Sequence, residues 1–191
     1  MAHTPEDSRT AVLAAALDLF GERGYGGTSL QAIAARLGFT KAAVYYHYRA
    51  KAGILTALSD PLLRQMDAVV AQAPRTWTRS ECRDLLGAYL DAVVGARVLA
   101  GVLISDPTAA GHPAAVQLRA QRHWVRDLLV SPGAEPRTAT VHASCALGAI
   151  EGAVLDFSDN QPETHRTIIL AAAVGALAAT PVKRAPAAKS R

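Results

Sequence analysis

Apolar residues recur at three- and four-residue spacing along most of this chain, and no stretch keeps the alternating rhythm of a strand. The pattern predicts an all-α protein. The first helix opens at Thr4-Pro5-Glu6-Asp7, with a capping Thr, Pro at the first helical position and acid in the first turn. It buries Val12, Ala16, Leu19 and Phe20 and stops near Gly24. In the second, Leu30, Ile33, Ala34 and Leu37 share a face, Thr28 and Gln31 stand at capping-box spacing, and Gly38 supplies a left-handed stop. Thr40 then caps a third helix, Lys41-Ala-Ala-Val-Tyr-Tyr-His-Tyr. A longer helix follows from near Lys51 to Ala73 on Ile54, Leu55, Leu58, Leu62 and Met66. Pro61 inside it predicts a kink or break.

Beyond a loop at Pro74–Arg79, a helix from about Ser80 to Gly95 uses Leu85, Leu86, Tyr89, Leu90, Val93 and Val94. A short apolar segment, Arg97–Ser105, ends at a loop bounded by Asp106 and Pro113. The next helix starts at Pro113 and uses Val116, Trp124, Val125, Leu128 and Leu129, until Ser131-Pro-Gly-Ala-Glu-Pro breaks it. Two helices over about 137–157 and 162–180 close the pattern, rich in Ala and Gly that allow close helix approach.

Two helices joined by a turn of about three or four residues containing Gly form a helix-turn-helix, whose second helix enters the DNA major groove. The segment Thr28–Lys51 has this layout. Its second helix opens on small residues that let the backbone approach base edges, with hydrogen-bonding aromatics behind. Charge changes the picture locally: from Arg23 to Ser59 there is no Asp or Glu, while Arg23, Arg36, Lys41, Arg49 and Lys51 are basic. A one-signed surface of this kind suits phosphates. The formal charge of +4 adds little, because the last ten residues hold four basic groups and no acid.

Half of the 191 residues are apolar and 5% are aromatic, so aliphatic side chains and Ala dominate the core. The N-terminus lacks a secretory layout, and no uninterrupted apolar run reaches the ~18 residues of a membrane span. Cys82 and Cys145 match no metal or redox spacing and read as small buried hydrophobes in a reducing cytoplasm. Scattered histidines with no HExxH, nucleophile elbow or phosphate loop argue against an enzyme, and no cofactor is expected.

The run from Arg9 to Leu55, RTAVLAAALDLFGERGYGGTSLQAIAARLGFTKAAVYYHYRAKAGIL, resembles the TetR family of bacterial transcriptional regulators. It is similar to the family's "AA..LF...G", "T....IA...G" and "Y.H(F/Y)..K..L". The resemblance implies about nine helices. Residues 1–50 would form a three-helix helix-turn-helix domain, 51–180 a helical ligand-binding and dimerisation domain, and 181–191 a basic disordered tail. It also implies a homodimer on a palindromic double-stranded operator and an unknown small-molecule effector that releases DNA. A regulator or architectural DNA binder without a ligand is the alternative.

By position, the resemblance gives Thr40, Lys41 and Ala42 the role of opening the recognition helix and setting sequence preference. Tyr45 would touch bases or backbone, Tyr46, His47 and Lys51 would reach phosphates, and Tyr48 would be structural. Chemically, Lys41 can donate to guanine O6/N7 and the Ala42 and Ala43 methyls can meet thymine methyls. Gln31 and Thr28, on the supporting helix, are further DNA candidates, though Gln31 can equally serve only the capping box. The family usually places a capping residue before the lysine of the fourth helix and Glu where Gly53 stands; Ala50 and Gly53 depart from both. In the C-terminal half, Met66, Tyr89, Trp124, His142 and Cys145 are pocket candidates with simple core as the alternative. Val141, Leu147, Ile150, Val154, Ile168, Ile169, Ala172 and Ala176 are expected to hold the dimer.

Overall fold

The computed structural model describes residues 5–130, 133–156 and 162–177. Among these residues the elements are helices: α1 (Pro5–Arg23), α2 (Leu30–Leu37), α3 (Lys41–His47), α4 (Lys51–Val70), α5 (Arg79–Gly95), α6 (Arg97–Ser105), α7 (Pro113–Leu128), α8 (Pro136–Asp156) and α9 (Pro162–Leu177). Thr4, Phe157, residues 178–180 of the last expected helix and the tail 181–191 lie outside the described residues. The all-α expectation and most boundaries hold to within a few residues.

Local chemistry explains most of the ends. Gly38 takes a left-handed conformation (φ 65°) and its N–H, with that of Phe39, closes on the carbonyls of Ala35 and Ala34. The Thr40 hydroxyl accepts from the Ala43 amide, 3.2 Å, which starts α3. The α2 cap differs from expectation: it is Ser29, whose Oγ accepts from the Ala32 amide at 3.1 Å. Thr28 is buried, its hydroxyl within reach of the Leu19 and Gly24 carbonyls at 3.1 and 2.9 Å, so no capping box forms with Gln31. A capping box does open α5, between Thr78 and Glu81. Helix α4 begins on uncapped Ala50, as its sequence implies, and runs through Pro61 without a break. The ring removes only the N–H that would reach Ala57, and nineteen other residues sustain the helix.

One connected core runs from Val12 to Val174. The α1 stripe Val12, Ala16, Leu19 and Phe20 is fully buried, packed on α2, α4 and α6. Helices α5 and α6 meet at 94°, and α8 lies against α9, α5 and α7. In α7 the expected stripe holds at Val125, Leu128 and Leu129 but fails at Val116 and Trp124. Ala114, Ala115, Leu118, Gln121 and Val125 face the core, while Val116 and Trp124 are exposed at 51% and 56%. Gln121 is accommodated there because its amide donates to the Leu63 carbonyl and the Asp67 carboxylate of α4, at 3.0 and 2.6 Å.

Two further expectations need correcting. Cys145 is exposed and Cys82 half-buried, so they are not a pair of core hydrophobes. Helix α8 is long and apolar enough to cross a membrane by length and composition, with mean hydropathy 1.2 over an 18-residue window. Its Leu147, Ile150 and Val154 nevertheless fill the core of the bundle. Those three residues and Ile169 are consequently spent inside one chain and unavailable to a partner, because each faces the neighbouring helices. Val141, at 58% exposure, and Ile168, at 69%, point outward instead.

Candidate nucleic-acid interface and helical-bundle pocket

Helix α3 buries one residue, Val44, and leaves the rest of its surface open. Lys41 and Ala42 are exposed on its first turn, Tyr45 is 40% exposed and Tyr46 81%. The Lys41 ammonium sits 5.3 Å from the Tyr45 ring, and Tyr46 meets His47 edge-on at 5.1 Å. Gln31 is exposed on the first turn of α2. Thus Gln31, Thr40, Lys41, Ala42, Tyr45, Tyr46 and His47 all have surface. Tyr48 is buried to 7% exposure, its hydroxyl accepting from Arg9 Nε at 3.0 Å; it fixes α3 against α1.

Two DNA candidates are placed otherwise. The Thr28 side chain is enclosed, because its hydroxyl is needed by carbonyls at the end of α1. Lys51 is half-buried and turned inward. Its ammonium donates to the Tyr25 carbonyl and to that of Thr28 (2.8 Å), and lies 4.2 Å over the Tyr25 ring. Burial holds its pKa below the ordinary lysine value, with the charge of Asp106 opposing that shift. Arg36 is paired with Glu22 through two hydrogen bonds, 3.0 and 2.7 Å. Of the local basic run, Arg23, Lys41 and Arg49 remain exposed with no carboxylate bridge among the described residues.

The loop between α6 and α7 clasps this region. The Asp106 carboxylate accepts from the amides of Tyr25 (2.6 Å) and Thr108 (2.8 Å) and from the Thr108 hydroxyl. These bonds, the Thr108 hydroxyl foremost, lower its pKa. Gly26 permits the approach: a Cβ there would lie 2.8 Å from the Thr108 methyl. On the other side of the loop, His112 caps α7, its Nδ1 accepting from the Ala114 amide at 3.2 Å. Its Nε2 lies 3.1 Å from the Ala52 carbonyl of α4, which fixes the tautomer as Nε2–H.

At the other end of the bundle, the start of α5, the end of α7, the start of α8 and the end of α9 enclose a cavity of about 430 Å³. Trp77, Arg79, Cys82, Leu129, His142 and Val174 are among its walls. Of the five expected pocket residues only His142 is there. Met66 is plain core, while Trp124 and Cys145 are exposed. Tyr89 is buried elsewhere, donating to Glu151, which also takes Arg122 Nε at 2.6 Å. Burial first, and the Glu151 charge next, drive the Tyr89 hydroxyl well above its usual pKa. The pattern Thr78-x-x-Glu81 was the signal for where Arg79 and Cys82 begin a helix; the meeting of four helix ends has no sequence signature.

Residues 12–58 match the model of the bacterial regulatory proteins of the tetR family. The likeness to the tetR family is therefore shown for this segment. It is 35% identical, over 103 residues, to the tetracycline repressor protein class A of transposon 1721 from Escherichia coli, covering 50% of this chain and 46% of that protein. The chain therefore spans about half the length of the curated relative it matches. Among solved structures, the TetR family regulator PfmR from Thermus thermophilus superposes with a TM-score of 0.67 at 21% identity, over 91% of this chain and 99% of that one. SmeT in complex with triclosan gives 0.59 at 19% identity, over 90% and 88%. Both likenesses establish the shared fold.

Proposed function

We propose that this protein is a homodimeric, sequence-specific DNA-binding repressor of the tetR family, released from a palindromic operator by a small molecule. The observation that carries DNA binding is the free surface of α3, where Lys41, Ala42, Tyr45 and Tyr46 stand exposed on a helix fixed from behind by Val44 and Tyr48. Residues 1–50 would be the reading unit and 51–180 the ligand-binding and dimerisation unit. Lys41 supplies a donor for guanine edges or phosphate, the alanines supply apolar contact for thymine methyls, and the tyrosine hydroxyls supply backbone contacts.

A single helix-turn-helix reads too few base pairs, so two copies must be held with half-sites about 34–36 Å apart. The surface for this is the outer strip of α8 and α9. Val141, Cys145, Gly148 and Gly152 recur at four- and three-residue spacing on α8, and Ile168, Ala172 and Gly175 run along α9. A Cβ built at Gly148, Gly152 or Gly175 would meet nothing within 4 Å, so these backbones are open to a second copy. Four helices across a two-fold axis give an isologous contact. Release by a ligand is supported by the cavity and by the SmeT neighbour that holds triclosan. Selection from random duplexes, with light scattering on the same sample, tests the reading. A two-fold consensus bound by a dimer is expected; no enrichment, or a monomer at micromolar concentration, refutes it.

A further inference from the structure

We infer that the cavity at the end of the bundle is a binding site for an organic anion with an apolar body, recognised through Arg79 and His142. Its walls are mainly apolar, from Leu129, Ala139, Val174 and Leu177 to the indole of Trp77. A volume of about 430 Å³ lies within the roughly 300–1,000 Å³ range of small-molecule sites. The free polar capacity is what selects the charge. Arg79 and His142 have no hydrogen-bond or ion-pair partner among the described residues. The one carboxylate, Glu135, is already used: it accepts from the amides of Arg137 and Thr138 at 3.1 and 2.6 Å. The Thr138 hydroxyl holds its pKa down, with those amides contributing. The site thus offers two unpartnered donor side chains beside one ionised carboxylate whose oxygens each accept an amide N–H.

A second, independent observation is the backbone of Trp77, the one non-glycine residue with positive φ (50°) among the described residues. An aromatic residue there is strained, and such strain persists where surrounding structure enforces it, commonly at binding sites. The enforcement is explicit. The Glu81 carboxylate gathers the amides of Arg75, Thr76 and Thr78 (3.3, 3.1 and 3.1 Å), and the indole N–H donates to the Leu128 carbonyl at 3.1 Å. The loop is built to hold the indole face against the cavity.

The inference gives the effector of the proposed regulator its chemical class, and binding is measured without DNA so that the two readings fail separately. Isothermal titration calorimetry of the full chain with octanoate and octanamide, near-isosteric probes, decides the charge preference. Octanoate should bind at least about tenfold more tightly, the scale of a charge-assisted hydrogen bond. Arg79→Ala should weaken octanoate far more than octanamide and so erase that difference, and His142→Ala should reduce it. Near-native circular dichroism of both variants keeps the comparison valid. Equal affinity for the two probes, no binding of either, or an undiminished preference in Arg79→Ala overturns the inference, whatever the DNA titrations return.

Discussion

Replacing Lys51 by Met separates two roles that one lysine can have in a DNA-binding headpiece. In the structure its ammonium is held by the carbonyls of Tyr25 and Thr28 and by the Tyr25 ring. Methionine keeps the apolar stem and removes all three interactions. Hydrogen bonds to a charged donor contribute about 1.5–3 kcal/mol, and a cation over an aromatic face about 0.5–1 kcal/mol at exposed sites. The ammonium's own desolvation offsets part of this, as the downward shift of its pKa implies. A net loss of about 1–3 kcal/mol follows, or roughly 2–4 °C in Tm per kcal/mol for a chain of this size. Thermal unfolding at fixed protomer concentration measures it. Operator affinity should fall with the headpiece loosened, but the slope of log K against log salt should stay as in the wild type, because no phosphate contact is lost. An unchanged Tm together with a slope lowered by about 0.9 per lost phosphate contact would show that Lys51 leaves its carbonyls and binds DNA.

Lys41→Ala, on the exposed first turn of α3, should change the consensus recovered from random duplexes; an identical consensus would reduce Lys41 to a backbone contact. Ala172→Arg should give a folded monomer with weak operator binding, read by light scattering, and a dimeric variant would place the interface elsewhere. Glu81, whose carboxylate is drawn down to about 2 chiefly by the Thr76 hydroxyl and the backbone amides, stabilises the loop above the ordinary carboxylate pKa. That contribution is lost as pH falls through about 2. In a Trp124→Phe background, Trp77 emission should therefore shift with a midpoint near 2, and a midpoint near the unperturbed ~4.3 would refute the assignment. Gln121→Met should leave octanoate binding intact while shrinking its effect on operator affinity, measured by anisotropy with and without the probe; full retention of the effect would rule out this link.

The helices and the reading surface were legible because their causes are local. Apolar spacing placed α2 and α4, Gly38 and Thr40 punctuated the turn, and a basic run without acid marked the face. What failed was decided by contacts far apart in sequence. Thr28 has the right spacing to cap α2, but carbonyls at the end of α1 claim its hydroxyl and Ser29 takes the role. Lys51 lies in a matching motif, yet its partners belong to the turn after α1. In α7 the apolar residues Val116 and Trp124 suggested part of a stripe, whereas a glutamine whose amide NH2 is bound by α4 faces the core. Leu147, Ile150, Val154 and Ile169 were chosen for apolar bulk, which is what a chain's own core also selects. The exposed strip is recognisable by its small residues instead.

Helix α7 is the element that spans the distance from cavity to headpiece. Leu129, just past its C-terminus, is a wall of the cavity, and Leu128 holds the Trp77 indole. Midway, Gln121 grips Leu63 and Asp67 of α4; at its N-terminus, His112 meets Ala52 at the start of α4. The same loop that ends in His112 carries Asp106, bonded to the turn after α1. A ligand that favours a displaced α7 end would act on α4 through polar contacts that break in discrete steps, as coupling between distant sites requires. The uncapped Ala50 and the glycine at position 53, neither of which stiffens the start of α4, lie beside the His112 and Lys51 contacts. A helix anchored at its start by side chains from elsewhere, rather than by its own cap, yields its orientation to whatever moves those side chains.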